Sequence, residues 1–153
     1  MKIEPFFGSR SELLLLFSEA DDSPAEINRY MELGEVLVAR HGQEIVGHIQ
    51  LIASGTDWEI KSVAVVNRRR SQGIGTALVL TARIRAFSAG ATRLVVATAA
   101  VDIDNLRFYQ RLGFRMCRIE RDAFSPERGY ATLQVDGIPV RDKVWFCLDS
   151  NDR

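Results

Sequence analysis

The residues from Arg68 to Thr76 have the types and spacing expected of an anion-binding turn. Three consecutive arginines precede two glycines, Gly73 and Gly75, which flank an isoleucine, and Thr76 adds a hydroxyl. Where a turn opens a helix, unpaired backbone N–H groups and the helix dipole attract negative charge. Glycine has no Cβ atom to keep a phosphate away from those groups. The stretch therefore predicts a phosphate-binding turn, although a solvated basic loop fits the same short pattern equally well.

Two other phosphate-binding motifs do not fit these residues. A P-loop requires a lysine directly after its second glycine, and no such lysine is present. The dinucleotide-binding fingerprint requires a third glycine and an acidic residue at the end of the next strand, and the segment offers neither cleanly.

Composition limits the class of protein. The chain has 153 residues, formal net charge zero and 46% hydrophobic residues, which predicts one globular domain over 1–153. Zero net charge argues against non-specific nucleic-acid binding. The opening residues MKIEPFFGSR lack the apolar core of a signal peptide, and no apolar run is long enough to cross a bilayer. We expect a cytoplasmic protein that binds neither membranes nor nucleic acid.

The two cysteines, Cys117 and Cys147, are predicted to be free. They form no CxxC pair, and two cysteines do not make a disulfide framework. Inert thiols in the core of a protein from a reducing compartment are the simplest interpretation. The two histidines have no third ligand pattern, so a metal site is not expected.

The elements around the turn can be predicted from local patterns. The segments SRSE and SPAE each predict a helix start, with Ser9 and Ser23 as capping residues. Strands are predicted for EVLVAR, EIVGHIQLIA, WEIKSVAVV, RLVVATAA, FRMCRIERDAF and KVWFCLD, and helices for 74–88 and NLRFYQRL. The segment 125–142 is predicted to be a loop. Antiparallel strands followed by strand–helix–strand units indicate an α/β (α+β) mixed sheet with packed helices.

In this context the chain resembles the GCN5-related N-acetyltransferase (GNAT) superfamily. RRSQGIGTALV matches its acyl-CoA signature [QR]xxGx[GA] at Arg70, Gly73 and Gly75, after the strand EIKSVAVV. NLRFYQRLGF, with Tyr109, is similar to the family's second characteristic segment. The resemblance implies a mostly antiparallel sheet of about six to seven strands, about four flanking helices, and a splay between the fourth and fifth strands that holds acetyl-CoA.

The resemblance also implies cofactor-binding positions. Backbone groups of the turn would hold the diphosphate of acetyl-CoA, and the end of the fourth strand would pair with its pantetheine arm. The implied positions are Val63, Ala64, Val65, Arg70, Ser71, Gln72, Gly73, Ile74, Gly75, Thr76, Asn105 and Tyr109. The chain departs from the family at two places, because Asn67 replaces a common proline and Asp102 replaces a common asparagine.

Two residues are candidates for catalysis of acetyl transfer to an amine. Tyr109 can give a proton to the departing thiolate, because the pKa of a phenol lies near that of an alkyl thiol. Glu59, early in the fourth strand, can accept a proton from the amine through a water. Strict alternation would place Glu59 on one strand face with Lys61, Val63 and Val65. A boundary tyrosine and an ion-paired glutamate are the alternative interpretations.

The acceptor is less well defined by the sequence. In the family, the first two helices and the segment before the last strand border the acceptor site. These carry Glu19, Asp21, Asp22, Glu26, Glu127, Tyr130 and Asp136, which favours a cationic primary amine as partner, although a solvated acidic surface also explains Asp21 and Asp22. A non-catalytic acyl-CoA sensor and a nucleic-acid module using the arginines are the competing functions. Homodimers are frequent in the family, so a homodimer is one expected arrangement.

Overall fold

The chain folds into a seven-stranded sheet with helices on both faces. The computed structural model describes residues 1–152. The strands are β1 Lys2–Pro5, β2 Glu35–His41, β3 Glu44–Ser54, β4 Asp57–Val65, β5 Arg93–Ala99, β6 Arg115–Glu120, β7 Gln134–Val135, β8 Ile138–Pro139 and β9 Lys143–Asp149. The order in the sheet is β1-β2-β3-β4-β5-β9-β6, and β7 and β8 form a separate small hairpin. All neighbours are antiparallel except β4 and β5. The predicted mixed, mostly antiparallel fold is therefore confirmed.

Four α-helices accompany the sheet in the described part of the chain. They are α1 Leu14–Ala20, α2 Pro24–Tyr30, α3 Ile74–Ser88 and α4 Ile103–Arg111. The cap predicted for α2 is confirmed, because the Ser23 hydroxyl accepts the Glu26 N–H at 3.2 Å. The cap predicted at Ser9 is wrong. That hydroxyl bonds to Ser11 instead, and a short 3-10 helix, Arg10–Leu13, precedes α1.

The helices bury two cores on opposite faces of the sheet. α3 and α4 cover one face, where Leu78, Leu94 and Phe146 are fully buried. α1 and α2 cover the other face around Phe17 and Ile27. Burial of such apolar side chains, at roughly 25 cal/mol per Å², drives this two-sided packing.

The splay between β4 and β5 is confirmed by their pairing. The two parallel strands pair only where Asp57–Ile60 of β4 lies beside Arg93–Val96 of β5. β4 continues to Val65 and β5 to Ala99, but beyond these pairs β5 pairs only with β9. The sheet therefore opens between two strands whose facing edges are free of each other.

A β-bulge at the mouth of this splay overturns the predicted alternation along β4. Ile60 pairs with Leu51 and Ser62 with Gln50, so Lys61 is an extra residue without a partner on β3. Because a bulge shifts the two-residue period by one, Val63 and Val65 pack with Ile60 against the α3 core. Glu59 therefore does not share a face with Val63 and Val65, as strict alternation would require.

The cysteine prediction is also wrong. Cys117 and Cys147 lie on the neighbouring strands β6 and β9, and a disulfide joins them with their Cα atoms 6.1 Å apart. Cys117 is exposed rather than buried, at an irregularity between Met116 and Arg118. The argument for a reducing compartment that rested on free thiols loses its support.

The segment between β6 and β9 is more ordered than the predicted loop. It contains a short 3-10 helix, Pro126–Arg128, and the β7–β8 hairpin. Its Arg128 carbonyl accepts the Ser23 hydroxyl at 2.6 Å, which attaches the segment to the start of α2. The segment therefore covers the same sheet face as α1 and α2.

Candidate active site

The turn between β4 and α3 has a backbone that requires glycine at one position. Gly73 has φ +82° and precedes the first residue of α3, and Ser71 also has a positive φ, +62°. A non-glycine residue pays a steric penalty in the left-handed region. The Arg70 Nε donates to the Val65 carbonyl at 3.3 Å, which ties the turn to the end of β4. The N-terminus of a fifteen-residue helix thus stands directly beside the splay.

Gly75 serves a different purpose from Gly73. A Cβ atom built on Gly75 would lie 3.6 Å from the Phe108 ring and 3.9 Å from Val65, which is ordinary van der Waals contact. The protein itself therefore has room for a side chain there. The absent Cβ leaves space against the backbone N–H groups of the first helical turn, where an anion can approach.

The three arginines do not form one uniform mobile patch. Arg68 forms an ion pair with Glu44, and Arg70 forms one with Glu19 at 2.9 Å. Among residues 1–152, Arg69 alone of the three has no ion-pair partner. Exposed ion pairs of this kind are weak and can exchange for a stronger anion.

Tyr109 lies in the apolar core at the level where the splay opens. Its ring contacts Phe146, with centroids 5.7 Å apart, and Phe146 is the β9 partner of Val96. Val96 is the last β5 residue paired with β4. Burial raises the pKa of Tyr109 well above its usual value, and Asp102 adds a smaller effect. The raised pKa makes this hydroxyl a weaker acid than the free phenol on which the sequence prediction rests. It makes no hydrogen bond to the part of the chain described by the structure, so its proton remains available to a bound ligand.

The second segment also contains the two residues around the family's asparagine position. Asp102 caps α4, because its side chain accepts the Asn105 N–H at 3.0 Å. The Asn105 side chain donates from Nδ2 to Thr98 Oγ1 at 3.1 Å, so it bridges α4 and β5. Asp102 therefore acts as a helix cap, and one N–H of the Asn105 side-chain amide is already used within the protein.

Glu59 lies on the face of the sheet covered by α2 and the segment after β6. Its side chain is 26% exposed, and its carboxylate is 4.0 Å from the ammonium of Lys61. Burial raises the pKa of Glu59, while the charges of Lys61 and Lys143 partly oppose that rise. A carboxylate with a raised pKa is a stronger base than an exposed one, which suits proton removal from an amine.

Three of the six acidic residues expected near the acceptor have protein partners, and one of these is Glu26, which lies 3.8 Å from Arg29. Asp21 accepts hydrogen bonds from the Tyr30 and Tyr130 hydroxyls, each at 2.8 Å. Asp21 is thus a structural anchor and not part of a solvated acidic surface. Glu19 pairs with Arg70, while Asp22, Glu127 and Asp136 are exposed.

Comparisons with known proteins identify the family. The model of the Acetyltransferase (GNAT) family matches residues 8–114. The chain belongs to this family. It is an acetyltransferase by that membership, as the motifs at Arg70–Gly75 and Tyr109 implied.

The relatives of this GNAT protein extend over nearly its whole length. YvbK of Bacillus subtilis (strain 168), described as an uncharacterized N-acetyltransferase, is 33% identical over 151 residues, 97% of this chain and 96% of that protein. A Bacillus subtilis acetyltransferase solved in complex with CoA is 32% identical with a TM-score of 0.87, covering 97% of each chain. A GNAT acetyltransferase from Elizabethkingia anophelis with acetyl-CoA bound is 27% identical with a TM-score of 0.90, covering 97% of each chain.

The structure places two residues near the candidate base Glu59 of this GNAT protein that sequence reasoning missed. Lys143 and Trp145 on β9 lie on the same sheet face as Glu59, and Trp145 Nε1 donates to Glu120 Oε1 at 3.1 Å. Their positions depend on which strands are neighbours, and sequence spacing does not show that. One signal was available for the bulge, since the adjacent polar residues Lys61 and Ser62 interrupt the alternation of β4. No helix within residues 1–152 has the length and apolar character to span a membrane.

Proposed function

We propose that this chain transfers an acetyl group from acetyl-CoA to a primary amine, with both substrates bound at once. The proposal depends on one observation: β4 and β5 separate from each other directly beside the Gly73–Gly75 turn at the start of α3. The two solved relatives with CoA and acetyl-CoA bound support the same cosubstrate. The acceptor amine enters from the sheet face that carries Glu59.

In this proposal the cosubstrate is bound mainly by backbone groups. The N–H groups from Arg70 to Thr76 hold the diphosphate, where the dipole of α3 adds partial positive charge. The free edge of β4 from Val63 to Val65 pairs with the amide groups of the pantetheine arm. An N–H group near Val65 polarises the thioester carbonyl, and such a fixed donor stabilises the negative charge that develops there.

Two side chains move protons in the reaction. Glu59 accepts a proton from the amine, directly or through one water, so that the nitrogen lone pair attacks the thioester carbon. The carbon–sulfur bond then breaks, and Tyr109 gives its proton to the thiolate. The products are the acetylated amine and CoA, and the proton taken by Glu59 returns Tyr109 to its protonated form through solvent.

Calorimetry and thiol release test this proposal. We expect CoA, acetyl-CoA and desulfo-CoA to bind with one site per chain, and acetyl-CoA to release a thiol when a suitable primary amine is added. Binding of CoA without thiol release from any amine of a broad panel would indicate a non-catalytic acyl-CoA sensor. Failure of all three CoA compounds to bind would contradict the proposal as a whole.

A further inference from the structure

Lysine is scarce in this chain, and two of its lysines meet at one place. The sequence has 3 lysines, Lys2, Lys61 and Lys143, against 17 arginines. Lys61 and Lys143 come from β4 and β9, which β5 separates, yet each affects the pKa of Glu59. Lysine carries a compact, strongly hydrated charge, whereas arginine forms planar forked pairs. Two of the three lysines therefore lie near the same carboxylate.

Lys61 points toward the space in front of Glu59. As the extra residue of the β4 bulge, it leaves the line of the sheet, and its Nζ lies 4.8 Å from the centre of the Tyr30 ring on α2. Its distance to the Glu59 carboxylate, 4.0 Å, is too long for a hydrogen bond. The ammonium thus lies between a ring and a carboxylate and donates a hydrogen bond to neither.

Lys143 approaches the same space from the other side. It begins β9, opposite Glu120 on β6, and its Nζ lies 5.4 Å from the centre of the Phe124 ring. Burial lowers the pKa of Lys143, and the positive charge of Lys61 lowers it further. Within residues 1–152 Lys143 forms no ion pair.

The other carboxylates near the two lysines are already hydrogen-bonded. Glu120 accepts from Trp145 and from Arg128, each at 3.1 Å. Asp21 accepts from both tyrosine hydroxyls that cover it, Tyr30 and Tyr130. Glu59 is the only carboxylate of the described residues within 4.0 Å of either ammonium, so Lys61 and Lys143 keep unused N–H donors in this half-buried space.

On the basis of the proposed function, we propose that the acceptor carries an oxyanion as well as its amine, and that Lys61 and Lys143 bind that oxyanion. The oxyanion is a carboxylate or a phosphate, and charged hydrogen bonds to it replace the water lost on binding. The amine then lies toward Glu59, and the rings of Tyr30 and Phe124 border the space between. A small amino carboxylate or a phosphorylated amine fits this description, whereas a purely cationic polyamine does not.

The stability of lysine variants distinguishes a binding role of the pair from a structural role. Two like charges in a half-buried space disfavour the folded state, because each loses hydration and repels the other. We therefore expect K61M and K143M to unfold at a urea concentration equal to or higher than that of the wild type. A clear loss of stability in both variants would indicate that the lysines support the fold.

Matched pairs of amines test the substrate class. Each amino carboxylate is compared with its primary amide, and phosphoethanolamine with ethanolamine, by thiol release from acetyl-CoA. We expect kcat/KM at least about tenfold higher for the anionic member, equivalent to one charge-assisted contact. K61M and K143M should reduce this ratio about tenfold, chiefly through KM, whereas K2M, which changes an exposed lysine paired with Glu4, should not. A larger effect on the phosphate pair than on the carboxylate pairs identifies the oxyanion.

The outcomes separate this inference from the proposed function. If neutral amines react as well as their anionic partners, the oxyanion site is contradicted while acetyl transfer stands. If no amine releases thiol, the proposed transfer fails, and the lysine pair is judged by binding alone.

Isotope-labelled lysine provides that binding measurement. With 13C-lysine the protein gives three Cε signals, which K2M, K61M and K143M assign. Titration with inorganic phosphate and with an amino carboxylate should shift the Lys61 and Lys143 signals together and saturably, and leave the Lys2 signal unchanged. Equal shifts of all three signals, or no shift of the pair, would overturn the proposal.

Discussion

At the scale of single residues, the environment of Tyr109 allows its role to be tested without disturbing the fold. The ring packs among Phe108, Phe114 and Phe146, while the hydroxyl has no partner in the described chain. Tyr109→Phe keeps the ring and removes only the proton donor. We expect kcat to fall about 100-fold or more, as for loss of a general acid. Stopped thiol-release assays give kcat, and calorimetry should give an unchanged affinity for CoA.

An unchanged kcat in Tyr109→Phe, with normal folding, would remove the tyrosine from the mechanism. Tyr30→Phe is not a suitable control, because its hydroxyl bonds to Asp21. Phe108→Leu changes a neighbouring ring without removing a proton donor and serves better. It should lose less kcat than Tyr109→Phe.

Glu59 predicts a specific pH dependence. Burial raises its pKa above the usual value of 4.5, and the base must be ionised to act. Activity is therefore present above the raised pKa and is lost as the pH falls through it. Glu59→Gln should lower kcat/KM by about 100-fold and abolish the acidic limb of the profile. The exposed Glu32, changed to Gln, should keep both the rate and the limb.

If the acidic limb of the kcat/KM profile is still present in Glu59→Gln, Glu59 is not the base. In that outcome another group carries the titration. Sequence resemblance pointed to Glu59 and Tyr109, but it could not show that Lys143 lies near Glu59, because that proximity depends on the order of strands in the sheet.

At the scale of elements, the two glycines of the turn should respond differently to alanine. Gly73 has φ +82°, and its Cβ would meet nothing within 4 Å, so Gly73→Ala costs about 1–2 kcal/mol through the backbone alone. Gly75 is helical, so Gly75→Ala should stabilise the fold by about 0.5–1 kcal/mol. The added Cβ, however, occupies the space proposed for the diphosphate. Urea unfolding and CoA calorimetry measure the two effects separately.

The expected result for Gly75→Ala is thus higher stability with CoA affinity reduced about tenfold or more, a loss of roughly 1.4 kcal/mol. A variant that binds CoA normally would show that the diphosphate lies elsewhere. Thr81→Ala, further along α3, is a control for a helix substitution away from the turn.

The element scale also shows where sequence reasoning reached its limit. The bounds of α3 agree with the predicted 74–88, because the glycine turn and the apolar spacing are local signals. The faces of β4 were assigned wrongly, because one extra residue at Lys61 shifts every later side chain. The apolar residues Leu80 and Ile84 are 40% and 67% exposed, because the packed face of α3 is set by the sheet beneath it.

At the scale of the whole molecule, contacts between distant segments were the least predictable. The disulfide joins β6 to β9, and Ser23 bonds to Arg128, 105 residues away. Each of these pairs depends on the path of the chain through the sheet, and local spacing carries no signal for it. The order of elements along the chain was predictable from local patterns, and the family resemblance supplied the topology that connects them.

His48 links the stability of the whole molecule to pH. It is fully buried on β3 against Phe17, and Nε2 is 2.8 Å from Ser62 Oγ. Its Nδ1 is buried without a hydrogen-bond partner in the described chain. Burial lowers the pKa of His48 to about 3, because a charged imidazolium is excluded from this core.

The unfolded chain takes up a proton at this residue near pH 6.5, whereas the folded chain does so only near pH 3. The stabilising contribution is therefore complete above pH 6.5 and is lost as the pH falls below it. Between pH 7.5 and pH 5.5 we expect a loss of about 1.4 kcal/mol in the free energy of unfolding.

Urea denaturation at the two pH values measures this loss in the wild type, in His48→Gln and in His41→Gln, whose side chain is exposed. His48→Gln should lose about 1.4 kcal/mol less than the other two proteins, and an equal loss in all three would place the pH sensitivity in other groups. If His48→Gln does not fold, the ring signals of His48 in the wild type should stay constant from pH 7.5 to pH 5 in NMR spectra, and a shift in that range would contradict the argument.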